Sequence, residues 1–109
     1  MPVARGVYVL EGTPCENPAN AAFRVYDGQG ISGSATCDCR IEPIATDGDV
    51  HEVDQSCVST YNGERTSIRQ MIEVRGHEAF TLTSPHGASR LRLCEDLDPA
   101  DFTAAQTPG

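Results

Sequence analysis

Residues 50–75 read VHEVDQSCVSTYNGERTSIRQMIEVR, and this stretch decides the fold class. Val50 to Ser59 places Val53, Gln55 and Cys57 on a common face, the period-two pattern of a half-buried strand. Tyr61-Asn62-Gly63-Glu64 then carries Asn-Gly, the strongest short hairpin signal, because the favoured turn needs positive φ at both central positions. Arg65 to Arg75 alternates again, with Ser67, Arg69, Met71 and Glu73 set against Ile68, Gln70, Ile72 and Val74. Glu, Arg, Gln and Met also favour a helix here. The hairpin turn before the segment and the strand after it decide for β.

The same punctuation continues in both directions. Upstream, Gly6 to Leu10 is β-branched and aromatic and reads as a strand. Glu11 to Asn20 is a long connection holding Cys15. Ala21 to Tyr26 reads as a second strand, ending in the tight-turn signature Asp27-Gly28-Gln29-Gly30. Gly30-Ile31-Ser32-Gly33-Ser34 lacks the nucleophile-elbow pattern and reads as a flexible connection. Ser34 to Ala45 is a third strand, expected to carry Cys37, Cys39 and Ile41 on one face. Pro43 cannot donate to a ladder, so this strand is an edge there or carries a bulge. Thr46-Asp47-Gly48-Asp49 turns into the Val50 strand.

Downstream, Gly76-His77 is a turn and Ala79 to Thr83 points Phe80 and Leu82 inward. Ser84-Pro85-His86-Gly87 turns once more. Ala88 to Cys94 sets Leu91 and Leu93 against Arg90, Arg92 and Cys94. Asp98-Pro99 reads as the N-cap and first residue of one helical turn reaching Phe102. The sum is an all-β, antiparallel meander of about seven or eight strands. Closure into a small barrel is the expected way to hide its edges. Residues 1–102 form the expected domain and 103–109 a flexible tail.

The chain has 109 residues, 39% hydrophobic and 6% aromatic, with no Trp. So small a core gains from covalent staples. The net charge of −8 argues against nucleic acid and against anionic membrane surfaces, both of which call for a basic face. It is compatible with a cationic protein or an envelope component as partner. All eight basic residues are Arg, which points to a GC-rich bacterial genome. No apolar run approaches the ~20 residues that span a bilayer, so membrane insertion is not expected. The chain opens Met1-Pro2-Val3-Ala4-Arg5 without a signal peptide. The cysteine content favours a mature exported region behind an added Met over a cytosolic protein.

Cys15, Cys37, Cys39, Cys57 and Cys94 are disulfide candidates. Cys37-x-Cys39 has a single residue between its cysteines and no second knuckle, so a zinc site is not expected. Loop geometry at Gly48 governs which partner faces Cys57. A two-residue turn at Asp47-Gly48 offers none. A three-residue loop ending on Gly48 sets Cys37 opposite it, whereas a loop centred on Gly48 sets Cys39 there. One bulge shifts the register by one residue. The geometry leans to Cys37. Cys15 and Cys94 lie after the first strand and at the end of the last, which are neighbours in a closed meander, so they are expected to bond.

His51-Glu52 and His77-Glu78 are strand neighbours that point to opposite faces, so neither is an acid–base dyad. No cofactor or metal motif is present in the sequence. Arg90 and Arg92, two apart on one strand face, are candidate ligand-facing residues. The general pattern resembles small periplasmic β-barrels, some of which inhibit lysozyme. The expectation is a periplasmic or secreted, non-enzymatic binding module. The alternatives are an inhibitor of a cationic hydrolase and a thiol-based redox protein.

Overall fold

The computed structural model describes residues 3–16, 18–99 and 102. Its strands are β1 (Gly6–Leu10), β2 (Phe23–Tyr26), β3 (Ile31–Ser32), β4 (Thr36–Asp47), β5 (Val50–Ser59), β6 (Arg65–Val74), β7 (Ala79–Ser84) and β8 (Gly87–Cys94). All eight join one antiparallel sheet in the order β3-β2-β1-β8-β7-β6-β5-β4. That is a meander closed through the β1–β8 ladder, where Val7 faces Cys94 and Leu10 faces Leu91. The joint between β3 and β4 carries no ladder, so the barrel is nearly closed. It is crossed by the Ile41 N–H, which donates to the Gln29 carbonyl at 2.7 Å.

Alternation decides what enters the barrel. Tyr8, Tyr26, Ile31, Val53, Ile72, Val74, Phe80 and Leu91 form the inner core, with Leu82 and Leu93 packed against it. The Tyr8 and Phe80 rings meet at 4.9 Å, and the Tyr8 hydroxyl donates to the Ala4 carbonyl at 2.6 Å. Burial pushes the Tyr8 phenol up to about 12, with Glu78 adding to the effect.

β1 is buried on both faces, which explains its unbroken apolar sequence. Val7 and Val9 join Phe23, Val25 and Cys94 in a second core outside the barrel wall. Cys15, Leu97 and Phe102 cover it. Phe23 and Phe102 pack edge to face, centroids 4.7 Å apart. Pro99 and Phe102 are helical. The rest of the expected helical turn, at 100–101, and the expected tail at 103–109 lie outside the described residues.

Two stretches differ from the sequence reading. Residues 20–26 split into a short 3-10 turn, Asn20–Ala22, followed by β2. The supposed flexible connection at 30–34 contains β3, whose Ile31 and Ser32 are buried opposite Tyr26 and Val25. Gly30 makes this approach possible, since a Cβ there would lie 2.2 Å from the Cys39 carbonyl oxygen.

Candidate functional site

The register of β4 against β5 sets the cysteines. The turn residues are Gly48 and Asp49, so Asp47 faces Val50. A bulge at Ile44 then shifts the pairing by one, leaving Pro43 opposite Val53 and Ile41 opposite Gln55. In that register Cys39 reaches Cys57, and the two are bonded. The lean towards Cys37 is therefore corrected. A second bulge, at Asp38 with φ 47°, pairs Cys37 with Val58 instead. Val58 faces away from the barrel, so Cys37 and Cys39 end on opposite faces rather than sharing one. Cys37 is left half-buried as a free thiol. The Arg65 guanidinium holds the bulge, donating to the Asp38 carboxylate and, at 3.1 Å, to its carbonyl.

Cys15 bonds Cys94 across 79 residues of chain. Arg92 lies on this clasp. Its Nη2 donates to the Thr13 carbonyl at 2.5 Å, and its Nη1 sits 3.3 Å from the Cys15 sulfur. Arg92 thus ties the long connection to β8. Arg90 is exposed and faces Thr81 across the β7–β8 ladder. The two guanidiniums, taken together from the sequence, occupy different surroundings.

The cavities are elsewhere, at one end of the barrel. The larger, about 370 Å³, is lined by Arg24, Ile31, Thr36, Gln55, Cys57, Ile68, Gln70 and Leu82, among others. A neighbouring lobe of about 330 Å³ shares Arg24, Ile68, Gln70 and Leu82, and extends to His86 and Ser89 in the β7–β8 hairpin. Together they make an open mouth with an apolar wall and a few polar groups.

Those polar groups are positioned by period-two alternation. Gln55 lies between inward Val53 and Cys57, and Gln70 between inward Ile68 and Ile72. Both amides are buried, at 3% and 8% exposed. The Gln55 Oε1 accepts from the Ile31 N–H at 2.6 Å, which fixes how its amide is turned. Its Nε2 donates to the Gln70 Oε1 at 3.1 Å. Gln70 therefore presents its NH₂ group to the mouth. Gln70's oxygen is taken, and its nitrogen has no partner among the described residues.

Arg24 shares the inner face of β2 with Tyr26, because Phe23 and Val25 belong to the outer core. Its Nη1 donates to the Phe23 carbonyl at 2.7 Å and to the Ala21 carbonyl at 3.3 Å. Burial lowers its pKa, but a guanidinium remains charged. Among the described residues no carboxylate pairs with it.

Sequence reading missed Arg24, Gln55 and Gln70. A signal existed for the glutamines, since both occupy inward positions between apolar residues. Nothing in the sequence marks Arg24, whose strand begins later than its composition suggests.

The acid-rich outer face of β4 to β6 is partly neutralised. Arg69 bonds Asp54 at 2.5 Å and Glu52 at 2.8 Å. Its hydrogen bond holds the Asp54 carboxyl below the usual range. His51 reaches the Thr46 hydroxyl at 3.3 Å rather than a carboxylate. Among the described residues no three of His, Cys, Asp and Glu converge to hold a metal, and no helix is long and apolar enough to cross a membrane. Comparison with protein-family models, curated proteins and solved structures finds no match.

Proposed function

We propose that this chain is a non-enzymatic binding module of the bacterial periplasm or the cell exterior, and that the barrel mouth takes its ligand. One observation carries this reading. The buried Gln70 amide, whose nitrogen has no partner among the described residues, faces an open, apolar-walled cavity of ligand size. An acceptor on a ligand would bond that N–H in place of solvent. The two disulfides are compatible with an oxidising compartment. The test is a fragment screen followed by side-chain amide NMR. Hits that shift the Gln70 amide together with the Ile68 and Leu82 methyls support the reading. A screen whose hits all leave these signals in place rejects it.

The second reading, inhibition of a cationic hydrolase, draws on exposed Glu42, Asp47, Asp49 and Glu73 around the β4–β6 face. Titration of a cationic lysozyme at low salt tests it. Saturable inhibition relieved by Asp47→Asn with Asp49→Asn supports this reading, and undiminished lysozyme activity removes it.

A further inference from the structure

Two polar side chains shared by both lobes, Arg24 and Gln70, offer donors to the mouth, and that restricts the ligand. Gln55 sets the pattern, because its oxygen is committed to the Ile31 N–H and its nitrogen must donate to Gln70. Gln70 is left with both N–H bonds of its amide. Arg24 uses only Nη1 on backbone carbonyls, leaving Nε and Nη2. The Thr36 Oγ1 accepts from the Gly33 N–H at 2.8 Å, so its own hydrogen is available to donate. Arg24 and Gln70 line both lobes of the mouth, so both donors border the stretch that the lobes share. Ile31, Ile68 and Leu82 supply apolar wall beside them.

We propose that the mouth binds a small monocarboxylate with an apolar body, its carboxylate held by the Arg24 guanidinium and the Gln70 amide. This rests on the reading of the mouth as the binding site. A half-buried guanidinium lacking a counter-ion favours an anion, and a carboxylate accepts from several donors at once. An ammonium head beside Arg24 and the Gln70 NH₂ would meet a like charge and a donor. An alcohol would accept one hydrogen bond and leave the charge unmet. The volume of about 370 Å³ suits a short acyl chain. At the ~30 Å³ a water occupies in the liquid, it holds roughly a dozen heavy atoms.

The experiment compares octanoate, octanol and octylamine, three probes with one tail and different heads. Calorimetry gives the affinities and methyl NMR locates each probe. Octanoate is expected to bind about tenfold or more tightly than octanol, with octylamine weakest. Arg24→Met keeps the aliphatic stem and should bring octanoate down to the affinity of octanol. Gln70→Met should remove part of the same advantage. Equal binding of octanoate and octanol at the mouth of the unaltered protein would overturn the carboxylate while leaving the mouth a binding site. No binding by any probe at the mouth would count against the binding site and the carboxylate alike. The comparison of heads needs no variant, so a misfolded Arg24→Met does not spoil it.

Discussion

Gln55 and Gln70 lie diagonally across β5 and β6 and share a hydrogen bond inside the barrel, with Gln55 also accepting from the Ile31 N–H of β3. A polar pair thus bridges the joint that backbone ladders leave open. The physical reason is backbone accounting. Ile31 is buried, so its N–H needs an acceptor, and no ladder between β3 and β4 provides one.

Replacing Gln55 by Leu strands that N–H. The expected cost is about 2–3 kcal/mol, the penalty for a buried donor left unsatisfied plus the lost bond. Gln70→Leu leaves the Ile31 bond intact and is expected to cost less. Urea unfolding of the two variants provides the check, and equal midpoints would contradict the bridging role.

Gly30→Ala sets a methyl 2.2 Å from the Cys39 carbonyl oxygen, and backbone cannot give way as a flexible side chain can. A loss of about 3 kcal/mol or more is expected, at the top of the range for overpacking. Hydrogen exchange should speed up first at Ile31 and Ile41, whose amides cross the same joint. Unchanged exchange there would mean that the approach of β3 to β4 does not depend on Gly30.

The two disulfides should contribute unequally. Cys15–Cys94 closes 79 residues and Cys39–Cys57 only 18. Chain entropy assigns roughly 4–5 kcal/mol to the first and about 3 to the second. Paired alanine variants, compared by thermal unfolding, should rank in that order. Cys37→Ser breaks no bridge, since that thiol is free. Mass spectrometry of the alkylated, non-reduced variant should still find both disulfides.

Alkaline pH should unfold the barrel through Tyr8. Its folded-state value, about 12, lies above the ordinary 10.0, because burial disfavours the phenolate. The stabilisation from the raised value is therefore complete below pH 10 and is lost as pH climbs through about 12. Phenolate absorbance and unfolding should rise together across this window. Tyr8→Phe gives up the bond to Ala4 at neutral pH but should move the alkaline midpoint upwards.

The strands were legible where alternation and turn chemistry agreed. β1 and β5 match their expected limits, and β6 proved to be a strand despite its helix-favouring residues. β3 was hidden because two residues carry no period, and its pairing depends on a distant close approach at Gly30. The mouth was half legible. Inward glutamines could be read from their neighbours, but their orientation depends on an amide 24 positions away. Arg90 and Arg92 drew attention as a pair, yet the Cys15 connection claims only Arg92.

By itself the sequence determined the β class, the meander and the neighbouring placement of Cys15 and Cys94. These follow from side-chain period and from turns only a few residues long. Tertiary structure decided which cysteine joins Cys57, because bulges at Ile44 and Asp38 reset the register after the turn has fixed it. It also decided that Arg24 and Gln70 share one mouth. Local pattern places a side chain on a face, but only closure of the sheet brings β2 opposite β6.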